Sequence, residues 1–291
     1  MSNSFPETPF SNLKARSIFL TFIGLSILVG ILVSILNNLI IFETDDPILI
    51  YLFYCLSFGL LCIWLLQRCR QLQIPLPLIL GRLPQSYPWI RLITVVVAVI
   101  LFSSGSFLIS CYLLGIISPN LLNTFLEFST VNSSELSAIP ALYKLLESFS
   151  IIIVAPITEE FIFRGVLLHR WGTKWGLVAG VIVSSVLFGM LHANPIGLTM
   201  FGVVMALLYI KTATLIIPIL AHGLNNFIAI SLQFLPVLED MSSPHAIYNY
   251  LLPGLILIAI SAPLLFRFFA RHLPNSQTVL PYFRNLPQDK M

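Results

Sequence analysis

The sequence predicts an all-α, polytopic membrane protein with about eight transmembrane helices and a polar cavity inside the membrane. Three observations lead there. Apolar residues make up 57% of the 291 and fall in long blocks, and about 20 such residues suffice to cross a bilayer. Charged residues make up 9%, against about 25% in ordinary soluble domains. The few charges also sort by loop, basic and acidic connections alternating down the chain, as the positive-inside rule requires.

Residues 1–16 are polar, carry Lys14 and Arg16, and read as a short cytoplasmic tail. The first apolar run, 17–42, has no small-x-small cleavage site and exceeds the about 7–15 residues of a signal-peptide core. It reads as an uncleaved span. Further spans are expected at 47–67, 92–117, 143–169, 175–193, 196–210, 215–235 and 247–269, the sixth being the shortest. Glu43, Asp45 and Asp46 follow span one, and Arg68, Arg70, Arg82 and Arg91 follow span two. Glu127 and Glu135 precede span four, Arg170 and Lys174 follow it, and Lys211 follows span six. Glu239 and Asp240 follow span seven, and Arg267, Arg271 and Arg284 lie at or beyond the end of span eight. This alternation places both termini on the cytoplasmic side, in what is expected to be a bacterial plasma membrane. The division is then 17–135 for the first helices and their loops, 140–236 for a core, 247–269 for the last helix and 272–291 for a loose tail.

Composition excludes some partners. A net charge of +3, without basic runs interleaved with aromatics, argues against nucleic acid. Cys55, Cys62 and Cys69 recur along one apolar run, with Cys111 in another; such cysteines act as small hydrophobes. Cys69, between Arg68 and Arg70, is the one candidate for palmitoylation.

Three polar clusters interrupt the apolar core. The first is Glu159, Glu160 and Arg164. Ionisable groups within a span are costly and mark function by default, although an ion-paired structural element would look the same. Residues four apart share a helix face, so Glu160 and Arg164 can pair while Glu159 turns toward another helix. Pro156 removes a backbone hydrogen bond just upstream and is expected to kink this helix.

The second cluster, Phe188 to His192, ends a ladder of Gly176, Gly180 and Ser184; taken alone it reads as a packing stripe closed by an interfacial histidine. The third is His222-Gly223-Leu224-Asn225-Asn226, with His222 and Asn226 on one face and Asn225 beside them. Polar residues of this kind can simply glue helices together. Taken together, a base, two imidazoles and an amide on three helices are the inventory for activating water and stabilising an oxyanion. There is no Gly-x-Ser-x-Gly elbow and no His-Glu-x-x-His helix. Zinc held by Glu159, His192 and His222 is the metal alternative, and the expectation is that no metal or cofactor is needed. His169, His245 and His272 lie at span ends or in loops and are expected to be incidental.

Glu159-Glu160-x-x-x-Arg164, Phe188-x-x-x-His192 and His222-x-x-x-Asn226, in that order, resemble the motifs of the CPBP or Abi family. This is the CAAX-protease and bacteriocin-processing group of intramembrane glutamic endopeptidases, which includes the type II CAAX prenyl endopeptidases. The resemblance covers about residues 140–236. It implies a helical core around a water-accessible cavity, with Glu159 as general base and His192 helping to hold the water. It further implies His222 and Asn226 as oxyanion donors, with Glu160, Arg164, Phe188 and Asn225 in support. The implied substrate is a membrane-tethered protein or peptide. Some relatives instead confer immunity or act as scaffolds, and a proton-coupled transporter could use the same groups as a relay. Oligomeric state is left open. One difficulty stands: counted along straight spans at 1.5 Å per residue, Glu159 and His222 lie roughly 16 and 12 Å from the cytoplasmic ends but His192 roughly 25 Å. They meet only if span five starts later, tilts, or dips in as a loop.

Overall fold

The computed structural model describes residues 9–39, 46–130, 137–233, 249–275 and 277–287. Several expectations lie outside these residues: the tail ends 1–8 and 288–291, the end of span one at 40–42, Glu43, Asp45, Glu135, Glu239, Asp240, His245, and the segments 234–235 and 247–248.

The described residues are helical and contain no strand. Besides short turns of helix at Leu76–Leu80 and Pro281–Arg284, the helices in chain order are α1 (Ala15–Leu39), α2 (Ile48–Gln71), α3 (Trp89–Ile117), α4 (Pro119–Thr130), α5 (140–175), α6 (Leu177–Met190), α7 (Pro195–Thr212), α8 (Ile216–Gln233) and α9 (Leu251–His272). The eight expected spans match α1, α2, α3 and α5 to α9. Among the described residues, five stretches are long and apolar enough to cross a membrane, in α1, α2, α3, α7 and α9, whereas α6 and α8 are apolar but shorter. On α1, Leu20, Ile23, Ile27, Leu28 and Ile31 are all exposed, a lipid-facing stripe that a soluble monomer would not carry.

α5 departs from a regular helix. It runs unbroken as Pro140–Phe149 (α), Ser150–Val154 (π), Ala155–Glu160 (α), Phe161–Leu167 (π) and Leu168–Trp175 (α). Around Pro156, where a kink is expected, the helix carries π turns on both sides, with helical torsions kept at every junction. π turns inside helices recur at functional sites.

α6 is shorter than the expected span 175–193. It begins at Leu177, after Gly176 at φ +91°, and ends at Met190. Its 14 residues reach about 21 Å at 1.5 Å each, short of the roughly 30 Å hydrocarbon core. His192 is thus in the turn between α6 and α7 and not in a helix. Gly176 is accordingly the reversal point of the chain, where only glycine accepts that φ without strain, and not a rung of the packing ladder.

Small residues set the helix crossings. A Cβ on Gly105 would lie 2.8 Å from Gly254 O, which brings α3 and α9 together backbone to backbone. A Cβ on Gly189 would strike Thr199 and Pro195 O, which closes the α6–α7 hairpin. On Gly202 of α7 it would come within 2.9 Å of Ser185 Cβ. α7 is the centre of the bundle. Every residue from Val204 to Ile210 is buried, as a helix apolar on all sides should be.

The connection 118–142, between the third and fourth expected spans, contains α4. Leu122 is fully buried there beside Cys111 and Tyr250, and that burial draws the segment into an amphipathic helix.

Residues 9–12 and 281–285 are docked on the bundle, the latter contrary to the loose tail expected for 272–291. In a 3₁₀ turn, Pro9–Asn12, Phe10 is fully buried and stacks on His169 at 4.8 Å. In the turn Pro281–Arg284, the Tyr282 backbone N–H donates to His169 Nε2 at 3.1 Å. The Asn285 amide donates to Leu78 O at 2.9 Å and to Ala213 O at 2.8 Å, carbonyls that the neighbouring helix ends leave without backbone donors. His169 is therefore structural and not incidental. Its Nδ1 faces Arg164 O and Gly165 O at 3.1 and 3.0 Å, so Nδ1 carries the proton and Nε2 accepts.

These contacts sort the loops independently of their charge. Leu78, Lys211, Ala213, Asn285 and the turns holding Phe10 and Tyr282 gather at one end of the bundle. At another connection, Asp46 accepts from Ile48 N–H at 3.0 Å and Ala138 N–H at 2.9 Å, joining the two stretches read as external.

Candidate active site

The site is built on the α turn between the two π segments. Glu160 Oε1 accepts from Arg164 Nη1 at 2.9 Å, the expected i,i+4 pair, and both side chains are fully buried. Arg164 Nη2 donates to Gly202 O at 3.2 Å. Its guanidinium lies over the Phe188 ring, 4.6 Å from the centroid. A buried cation thus meets a carboxylate, a carbonyl and a ring face.

Glu160 has a second partner that helical spacing does not reveal. His222 Nδ1 lies 2.9 Å from Glu160 Oε1, so the carboxylate expected to be purely structural also orients an imidazole. The far nitrogen, His222 Nε2, is 3.9 Å from Glu159 Oε2. His222 packs edge-on to Phe201 at 4.8 Å and to Phe188 at 6.0 Å.

Glu159 points away from Arg164, as its position on the helix implies. Its Oε1 accepts from the Tyr54 hydroxyl of α2 at 2.8 Å. Its buried Oε2 has no hydrogen-bond partner among the described residues.

His192 reaches the cluster through Phe188. Its Nδ1 lies 2.7 Å from Phe188 O, which fixes the Nδ1–H tautomer, and its ring packs on Phe188 at 4.6 Å. Phe188, fully buried, therefore touches Arg164 and both imidazoles and holds the three motifs in one place.

Asn226 has a local reason to be where it is. Ala155 N–H reaches back five residues to Ser150 O, and Pro156 has no N–H with which to repeat that bond to Ile151 O. Asn226 Nδ2 donates to Ile151 O at 2.8 Å and so satisfies that carbonyl. Asn225 Nδ2 in turn donates to Asn226 Oδ1 at 3.1 Å. Gly223 permits the approach, since a Cβ there would lie 3.1 Å from Ile152 O.

The structure thus brings Glu159, Glu160, Arg164, Phe188, His192, His222, Asn225 and Asn226 onto one set of touching elements. Three participants were missed: Tyr54, Phe201 and Gly202. Among the described residues, no three His, Cys, Asp or Glu side chains form a group able to hold a metal ion, so Glu159, His192 and His222 are not gathered as the zinc alternative requires.

Comparison with known proteins points the same way. Residues 141–228 match the family described as "Type II CAAX prenyl endopeptidase Rce1-like". The chain is 32% identical over 108 residues to "Putative membrane peptidase YdiL" of Bacillus subtilis (strain 168), covering 36% of this chain and 44% of that protein. It is 28% identical over 86 residues to "Uncharacterized 24.3 kDa protein" of Escherichia coli, covering 27% and 40%. The chain thus spans less than half the length of these curated relatives. No solved structure matches it. Residues 141–228 hold the three motifs and, Tyr54 apart, every side chain of the polar cluster, so the match to the Rce1-like type II CAAX prenyl endopeptidase family falls on the candidate site.

Proposed function

We propose that the chain is an intramembrane glutamic endopeptidase that hydrolyses a peptide bond of a membrane-tethered protein or peptide. The observation that carries this reading is the buried Glu159 Oε2, without a hydrogen-bond partner among the described residues and facing His222 Nε2 at 3.9 Å. One water oxygen can sit about 2.8 Å from both atoms, subtending roughly a right angle.

The proton steps balance as follows. Glu159 Oε2 takes a proton from that water while the water oxygen bonds to the scissile carbonyl carbon and the C=O pair moves onto oxygen. His192, with its proton on Nδ1, offers the Nε2 lone pair to the water's other hydrogen. His222 holds two protons: Nδ1–H on Glu160 and Nε2–H for the oxyanion. Two carboxylates, one guanidinium and one imidazolium then sum to zero charge in a buried site. Asn226 keeps one amide N–H beyond the bond to Ile151 O and donates it to the same oxyanion. Collapse breaks the C–N bond, and Glu159 returns its proton to the leaving nitrogen.

The test is cleavage in proteoliposomes of internally quenched, membrane-anchored peptides, farnesylated or plain, ending in a Cys-aliphatic-aliphatic-X box. Cleavage that vanishes with Glu159→Gln supports the reading; a panel left intact by the wild-type chain overturns it, and a scaffold or immunity role then follows. Because Glu159 acts on water directly, turnover is expected to survive strong chelators and dialysis. Loss on chelation, restored by zinc alone, would replace the glutamic mechanism with a metal-dependent one.

Both termini are read as cytoplasmic, in a bacterial plasma membrane. Reporters fused after Arg284 or at Arg82 are expected to register inside, and one within 120–138 outside. The opposite result at 120–138 would invert the chain and its substrate side.

A further inference from the structure

We propose that Tyr54 of α2 is a positioning residue for Glu159, so that the working site needs a helix outside the family-matched residues 141–228. The inference rests on the reading of Glu159 as the base.

The bond from the Tyr54 hydroxyl to Oε1 is the one hydrogen bond that Glu159 makes among the described residues. A glutamate side chain has three rotatable bonds, and ordering it costs rotamer freedom. A base that turns away from its water is lost to catalysis, since about 1 Å of misplacement can cost 10²-fold. The phenol makes a short charge-assisted bond to one oxygen. That choice settles which oxygen is free: Oε1 is engaged, and Oε2 faces His222 Nε2.

The phenol is itself held. Its ring packs on Phe58 at 4.5 Å, and Phe58 packs on Phe22 of α1 at 5.1 Å. α1 and α2 therefore set the direction in which Tyr54 points. Further along the same face of α2, Tyr51 donates to Glu147 Oε1 at 2.9 Å and Cys55 Sγ lies 3.1 Å from Ser150 Oγ. The α2–α5 seam is thus a line of polar pairs, of which one reaches the proposed base.

The experiment compares kcat and KM for Tyr54→Phe, Tyr51→Phe, Glu159→Gln and the double Tyr54→Phe/Glu159→Gln. It uses the full chain in proteoliposomes with the farnesylated quenched peptide, and melting temperature is read beside the kinetics. Tyr54→Phe keeps the ring and its packing and removes only the hydroxyl. The expected result is a fall in kcat of about 10–100-fold with KM and melting temperature unchanged. Tyr51→Phe keeps wild-type kcat, and Tyr54→Phe adds no further loss to Glu159→Gln. Tyr54→His, which restores a donor, recovers part of kcat. Wild-type kcat in Tyr54→Phe, or a loss that persists undiminished on top of Glu159→Gln, overturns the inference and leaves the base assignment standing. An active Glu159→Gln overturns the base assignment itself, whatever Tyr54 does.

Discussion

Glu159→Gln is expected to lower turnover by about 10²–10⁴-fold, the range that a positioned general base supplies, while folded yield and substrate affinity stay near wild type. The two halves of this expectation have separate causes. Turnover falls because an amide cannot take the water's proton. The fold persists because Glu159 is not the partner of the buried guanidinium: Arg164 bonds Glu160 and Gly202 O, and the Glu159 side chain bonds Tyr54. Gln keeps an oxygen able to accept from the Tyr54 hydroxyl, so little is lost at the α2–α5 seam. Single-turnover cleavage beside a detergent melting curve separates the two. An active Glu159→Gln, or one that fails to fold, would move the base elsewhere.

Much of this site was legible because it is written at helical spacing. The Glu160–Arg164 pair follows from i,i+4 geometry, and so does the turn of Glu159 toward another helix. The divergence of the two carboxylates survives the π turns because both glutamates lie on the α turn Ala155–Glu160 between them. Other features were hidden because their partners are remote in sequence. Tyr54 is one of several aromatics in an apolar run, and nothing local separates it from Tyr51; only the approach of α2, 105 positions away, selects it. His222 on Glu160 is a contact of the same kind, 62 positions apart. The docked turns at Phe10 and Tyr282 escaped because short polar tails carry no periodicity. Their anchor, His169, is made specific by three-dimensional packing that a helix-end histidine does not advertise. Pro156 marked the place where the helix departs from regular α geometry, and the carbonyl that its missing N–H leaves free is met by Asn226 from α8.

The largest effect on stability is expected at Glu160, and here the two adjacent glutamates differ most. Glu160→Gln removes the carboxylate that faces both Arg164 and His222. Arg164 is left as a fully buried cation with a carbonyl and a ring face, and breaking a buried pair in this way costs about 3–5 kcal/mol. Arg164→Gln should cost less, because Glu160 keeps its bond to His222 Nδ1 and the imidazole supplies the compensating charge. The double Glu160→Gln/Arg164→Gln should recover much of the stability lost in Glu160→Gln, since no unpaired guanidinium remains. Its turnover should not recover, because His222 still lacks the carboxylate that fixes Nδ1–H and aims Nε2 at Glu159. Melting temperature and single-turnover cleavage measured on all three variants give the answer. Rescue of stability without rescue of activity assigns Glu160 to both tasks. If activity returned together with stability, Glu160 would be structural alone, and the orientation of His222 would have to come from its packing on Phe188 and Phe201.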